Sequence, residues 1–215
     1  SSEELQDVSV FQFSDGELYK TDLLNPGKNE QSEISAISGS QLYFLTGLDI
    51  PVKEKATTEE EFLNTVIGEG LHDNSAPNFM TAVTELESGV VTRGSANVDV
   101  VMKHGVARID LNTTADSKTK IKEIIVEDAP AETFLFIENK QASNKTVNYR
   151  KELASDFNGE QKEIFRIFES TRPVHIILRG TYDEIPIRLK VELPVVKRNK
   201  VYELTVLNVG ATIEG

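Results

Sequence analysis

The chain has 215 residues and a formal net charge of −12, with 23 Lys and Arg against 35 Asp and Glu. That sign argues against nucleic acid and anionic lipid as partners, because binding a polyanion takes clustered cations. The absence of cysteine excludes disulfides, thiolate metal sites and cysteine nucleophiles, while 39% hydrophobic residues suffice for a packed core. No apolar run reaches the roughly 18–20 residues of a membrane-spanning helix.

Taken in order, residues 8–13 read as a strand, Ser14-Asp15-Gly16 as a turn and 18–21 as the return strand, together a hairpin. Residues 42–46 are a short apolar run, expected as a buried strand. Thr58-x-x-Glu61 fits a capping box, with Glu59 and Glu60 adding negative charge to a first helical turn. Phe62 with Val66, and Leu63 with Ile67, would form one apolar stripe, and Gly68 and Gly70 would end the helix. Val98, Val100 and Met102 alternate, then Ala107, Ile109 and Leu111 alternate on the opposite parity. An extra residue in one strand would switch parity in this way, so a β-bulge is expected near Gly105, beside His104.

Residues 121–126 and 133–137 complete the strands of the first half, and 145–156 reads as a short helix or an ordered loop. Further on, Val174, Ile176 and Leu178 share one face, as do Ile185, Ile187, Leu189, Val191 and Leu193. After the basic turn Lys197-Arg198-Asn199-Lys200, the stripe Tyr202, Leu204 and Val206 follows. These three segments read as a meander of antiparallel strands. Many short strands separated by turns predict a mainly β protein of sandwich type with one or two short helices. The polar stretch 138–145 suggests a first domain of 1–138 and a second of 139–215. The second has about five strand candidates, so it is expected to be incomplete or to lean on the first.

Candidate chemistry is sparse. His72, His104 and His175 show no metal-ligand spacing. His104 is expected in a turn or bulge, His175 on a solvated strand face, and His72 in a loop near Asp73. No G-x-S-x-G, P-loop or G-x-G-x-x-G occurs. Glu59, Glu60 and Glu61 are better read as a helix start than as catalytic acids. Asp110, Asn112 and Asp116 resemble a calcium loop loosely, without its glycine and distal glutamate. Asn112-Thr113-Thr114 and Asn144-Lys145-Thr146 match the N-x-[ST] pattern. Tyr149 and Tyr182 are the loop candidates for an aromatic platform, and Arg93, in Thr92-Arg93-Gly94, is a candidate protease-accessible arginine. The reading therefore holds no catalytic, cofactor-binding or metal-binding residue and predicts a protein that is not an enzyme.

Three segments, in order, resemble the fimbrillin family of bacteroidal (type V) pili. They are VSVFQFSDGELYKTDLL at 8–24; VDVVMKHGVARIDLN with IKEIIVEDAPAETFLF at 98–136; and IFRIFEST, VHIILRGTYD, IPIRLKVELP and KRNKVYELTVLNVG within 164–210. The resemblance implies two transthyretin-like antiparallel β-sandwich domains and export as a lipoprotein precursor to the outer membrane or pilus. It also implies trimming of an N-terminal segment and donor-strand exchange with other pilus subunits, with host or bacterial surface ligands as further partners. Lys103-His104-Gly105 departs from the more basic pair expected there, and the chain ends soon after the R-N-x-Y strand. The likeness is therefore to a minor, tip or accessory subunit. The alternative is a surface carbohydrate- or protein-binding sandwich module of a nutrient-uptake system.

Overall fold

Most segments in which apolar residues alternate form strands whose ladders extend beyond them, but Val98, Val100 and Met102 lie in unpaired chain ahead of a two-residue strand. A computed structural model describes residues 7–27, 31–50, 57–68, 75–87, 97–113, 118–154, 157 and 159–215. In chain order the elements are β1 (Val8–Ser14), β2 (Glu17–Leu24), β3 (Gln41–Thr46), α1 (Glu59–Leu63), β4 (Val66–Gly68), β5 (Met80–Glu85) and β6 (Lys103–His104). They continue with β7 (Ala107–Thr113), β8 (Thr119–Pro130), β9 (Glu132–Phe134), β10 (Thr146–Glu152) and β11 (Gly159–Ile167). The last four are β12 (Val174–Tyr182), β13 (Ile185–Leu193), β14 (Val201–Leu207) and β15 (Gly210–Glu214).

The chain forms two compact units: Ser1–Thr65 with Asn78–Gly105 and Leu135–Ile137, and Val66–Pro77 with Val106–Phe134 and Glu138–Gly215. The first holds one five-stranded sheet in the order β2-β1-β3-β5-β6. The expected hairpin is β1–β2, closed by Asp15 and Gly16, both left-handed at φ 50° and 77°. Gln12 pairs with Lys20 and Phe13 with Leu18, which leaves Tyr19 as a bulge residue.

Strand β1 is buried on both faces. On one side Phe11 and Phe13 each lie 4.9 Å, centroid to centroid, from the ring of Phe62. Tyr43 and Phe136 stand 5.1 and 5.0 Å from the same ring. On the other side Val8 and Val10 join Leu42, Phe44 and Leu86, and the extended segments carrying Ile34, Ala36, Val100 and Met102 pack on them.

Helix α1 begins as expected, with the Thr58 hydroxyl accepting from Glu61 N–H at 3.2 Å. It is shorter than the apolar stripe predicts, ending at Leu63 instead of near Gly68. Thr65, Val66 and Ile67 are β-branched, and Val66–Gly68 finds a ladder partner in β9. Tertiary pairing overrides local periodicity there.

The second unit contains two four-stranded sheets, β10-β8-β12-β13 and β11-β7-β14-β15, and the small pair β4-β9. Inward residues of both four-stranded sheets, among them Ile109, Ile124, Ile176 and Leu204, make one core, so this unit is a β-sandwich. It is neither small nor incomplete. The two units do not divide at a single point: beside the crossing at 137/138 the chain passes between them at 65/66, 77/78, 105/106 and 134/135, and β7 and β8 pair with strands from the last third of the chain.

Three further expectations change with this division. The parity switch at Gly105 is not a bulge: Lys103–His104 pairs with β5 in the first unit, and Ala107–Thr113 starts a strand of the second. Glycine is needed at 105 because a Cβ there would lie 2.1 Å from the Phe79 ring. The meander holds only for β12–β13; β14 joins the other sheet and runs parallel to β7. Residues 145–156 are neither helix nor loop over Thr146–Glu152, where β10 completes the edge of β8.

Phe62 is 1% exposed at the centre of five rings, so Phe62→Ala should remove about 3–5 kcal/mol of stability by urea unfolding. Glu60→Gln on the exposed side of the same helix should stay within about 0.5 kcal/mol. Equal effects from the two would show that the ring cluster is not what anchors α1.

Candidate functional site

A sheet protein offers partners its strand edges and faces, and these are unequally protected here. In the second unit, edge strand β10 carries Arg150, Lys151 and Glu152, and edge strand β13 carries Pro186, Arg188 and Lys190. Charge and proline discourage further pairing. In the first unit β2 is the outermost strand of the sheet; its start is tied to residues 57–58 by the Glu17–Thr58 bridge and by Leu18 N–H donating to Thr57 O at 3.0 Å, and beyond it Tyr19 and Leu23 are half or more exposed at 50% and 60%.

Among the described residues no second sheet covers the Val8–Val10 face of the five-stranded sheet. The segment through Ser35 and Ile37 lies there without strand pairing, and the Gln12 side chain ties it to β1. Gln12, 1% exposed, donates from Nε2 to the Ser35 carbonyl at 3.1 Å and accepts from Ile37 N–H at 2.7 Å. Its Oε1 also accepts from the Ser40 hydroxyl at 3.3 Å. A primary amide reproduces the donor and acceptor of a backbone peptide, so Gln12 replaces a ladder with side-chain bonds. Beneath is an apolar floor of Val8, Val10, Leu42 and Phe44.

The second unit contains a buried ion pair. Arg198 and Glu169 side chains are each 4% exposed, and Arg198 Nη2 donates to Glu169 Oε1 at 2.8 Å. The same nitrogen donates to Phe134 O at 2.7 Å and to Thr133 Oγ1 at 3.1 Å, while Glu169 Oε2 accepts from Asn139 N–H at 2.9 Å. This joins the β9 region to residues far along the chain. The adjacent cleft, lined by Asn139, Lys140, Glu169, Ser170, Thr171, Val195 and Val196, is about 50 Å³. Small-molecule sites occupy roughly 300–1,000 Å³.

The residues singled out from sequence do not converge. His175 lies between Asp128 at 3.3 Å and Glu192 at 3.1 Å, so it is tied to carboxylates and not simply solvated. The two carboxylates approach opposite ring nitrogens and do not share a point where an ion would sit. His104 is half-buried in β6, opposite Met80. His72, Asp73, Asp116, Thr114, Arg93 and Gly70 lie outside the described residues.

Glu59 accepts from the Tyr43 hydroxyl at 2.6 Å; burial first and this bond second push the phenol above its usual range. Glu60 and Glu61 stay at the helix start. Asp110 is taken by Arg108, at 2.9 and 3.0 Å, and by Glu163 N–H at 2.8 Å. Asn112 faces Glu203 at 3.5 Å, so the calcium set is not assembled. Tyr149 is 2% exposed in the sandwich core and offers no platform, and Tyr182 is half-buried at the end of β12. Asn144 is exposed before β10. Among the described residues no group of three His, Cys, Asp or Glu is placed to hold a metal ion, and no helix is long and apolar enough to cross a membrane.

Sequence reasoning missed Gln12 and the Arg198–Glu169 pair. For Gln12 a signal existed: it continues the face of Val8 and Val10, where a lone polar residue must find partners.

No family model matches the chain, and no curated protein matches it by sequence. Solved structures do. The C-terminally truncated tip fimbrial protein Mfa3 from Porphyromonas gingivalis superposes with a TM-score of 0.65 at 12% identity, covering 98% of this chain and 92% of its own. The fimbrilin FimA from P. gingivalis W83 gives 0.63 at 9%, covering 98% and 90%. A fimbrial assembly protein from Parabacteroides distasonis gives 0.58 at 11%, covering 98% and 92%. At such identities what is shared is the fold.

Breaking one side of a buried ion pair leaves the other charge stranded. Arg198→Met should therefore cost about 3–5 kcal/mol in urea unfolding, and the double variant Arg198→Met with Glu169→Leu should recover part of that loss. Additive losses in this double-mutant cycle would mean the pair does not act as a unit.

Proposed function

We propose that this chain, built on the fold of bacteroidal fimbrial proteins, is a non-enzymatic structural subunit of a cell-surface pilus or adhesin. In this reading it joins its neighbours by strand exchange. The observation that carries the reading is the fold match over 98% of the chain to a tip fimbrial protein and to a fimbrilin. The sandwich of the second unit corresponds to a transthyretin-like domain, and the protein is exported as a lipoprotein precursor to the cell surface. A tip or accessory position suits the likeness to Mfa3.

The physical support for strand exchange lies in the first unit. A partner strand gains ladder bonds on β2 beyond Leu18, or a seat on the apolar floor beneath Ile34 and Ala36, since among the described residues no second sheet closes either. Main-chain bonds then supply affinity, and alternate side chains entering the floor supply register.

The lack of cysteine makes a single introduced thiol unique. Leu23→Cys, labelled with a photo-crosslinker on cells that make the protein, should give a ladder of SDS-resistant multiples among surface-extracted material. Crosslinking only within the monomer, or an intact signal-bearing chain found in the cytosol, would defeat the reading.

A further inference from the structure

Two pairs of like charges stand directly opposite each other across strands of the second unit. Arg179 faces Arg188 between β12 and β13, and Glu203 faces Glu214 between β14 and β15. Directly opposed like charges weaken a sheet, since cross-strand Cβ atoms lie only about 4.5–5.5 Å apart. The arginine pair is only partly neutralised, and the glutamate pair has no cation partner among the described residues. The carboxylate nearest Arg179 is Glu123 at 3.9 Å, which Arg150 also engages. Arg188 and its face neighbour Lys190 make no ion pair among the described residues, and neither do Glu203 and Glu214. All five side chains belong to exposed residues.

The two sheets enclose one core, to which Leu178, Val191, Leu204 and Val206 contribute. The charged pairs have the opposite parity on their strands, so they project from the two outer faces of the sandwich. The composition of the sheets follows the same division. Strands β8, β10, β12 and β13 carry seven Lys or Arg and five Asp or Glu. Strands β7, β11, β14 and β15 carry three and five. On the second face Asp110 and Glu163 are already paired with Arg108 and Arg166, which leaves the Glu203–Glu214 pair and exposed Glu160, in register with Asn112, as the open acidic residues. On the first, Asp128 and Glu192 gather around His175 at the other end of the strands, which gives that face a direction.

We propose that the basic outer face of one copy docks on the acidic outer face of a second copy, a head-to-tail contact that relieves both like-charge pairs. Such a contact uses different surfaces on the two partners and can repeat without closing. With strands about 4.8 Å apart and rising about 3.3 Å per residue, each face offers roughly 300–400 Å². That is well under the roughly 800 Å² per partner of a stable complex, so the contact is weak between single molecules and gains strength when copies are arrayed. It is lateral, and it does not depend on strand exchange or on the pilus reading.

The test is the osmotic second virial coefficient of the full chain by static light scattering. At about 50 mM NaCl, where screening extends little beyond 10 Å, the wild type should be attractive, with a negative coefficient that rises towards zero at about 500 mM. Arg179→Glu/Arg188→Glu and Glu203→Lys/Glu214→Lys should each turn the low-salt coefficient positive, although they move the net charge of −12 in opposite directions. Mixing the two variants should restore attraction. Net charge alone makes the opposite prediction for Glu203→Lys/Glu214→Lys, which it brings nearer neutrality. A positive wild-type coefficient at low salt, or more attraction in that variant, overturns the proposal. Retention on heparin without self-attraction would overturn it too and would assign the basic face to an acidic polysaccharide.

Discussion

The sandwich of the second unit depends on a parallel pairing between residues about ninety positions apart. Strand β7 lies between β11 on one side and β14 on the other, with Ile109 beside Tyr202 and Leu111 beside Leu204. Without β14 the face carrying Ile109 and Leu111 would lose the side chains that close the core. Parallel neighbours cannot be joined by a tight turn, so the chain must travel through β8 to β13 before the seam can form. Loop-closure entropy is spent before the reward arrives, which makes this the slow, late part of assembly. The Arg198 turn sits just ahead of β14, and Asn199 N–H donates to Val106 O at 3.0 Å, so the turn positions the strand at the start of the seam.

Period-2 patterning reports which face of a strand is buried and says nothing about its neighbour. That is why the strands around 8–13, 42–46, 107–111, 121–126, 174–178, 185–193 and 202–206 were legible in the sequence while the partner of 202–206 was not. A hairpin with a short turn carries its own partner, so β1–β2 and β12–β13 were readable as pairs. The misread crossing at 105/106 has the same origin. A change of parity at Gly105 has two explanations, an inserted residue in one strand or the end of one strand and the start of another in a different sheet. Only the long-range partners of β6 and β7 separate them.

The ion pair shows a different limit. Arg198 stood in a run of basic residues that reads as a solvated turn, and Glu169 in a segment with no period. Neither has a local cue for burial, because the stabilising geometry is assembled from Thr133, Phe134, Asn139 and Glu169. Buried charges become favourable only when such a set converges, and convergence is a property of the fold. Gln12 is the more readable case: its parity placed it on an apolar face, and the cost of an unpaired amide there demanded partners.

On the proposed strand exchange, the energetics of the first unit decide what kind of strand could bind. The segment through Ser35 and Ile37 is tied to β1 by two side-chain hydrogen bonds with Gln12, one donated and one accepted, each contributing about 1 kcal/mol net, beside the Ser40 bonds to Ile37 O and the packing of Ile34 and Ala36. An incoming strand on β2 beyond Leu18, whose N–H already donates to Thr57 O, adds backbone bonds and buries Leu23, now 60% exposed. Full burial of one such side chain alone is worth about 1.5–3 kcal/mol. Association costs at least about 4 kcal/mol in lost translational and rotational freedom, so a short or poorly matched strand would not bind. A strand long enough to pair along β2 beyond Leu18 and alternate correctly passes that threshold. Length and register of the donor, and not charge, would then decide which neighbour is accepted.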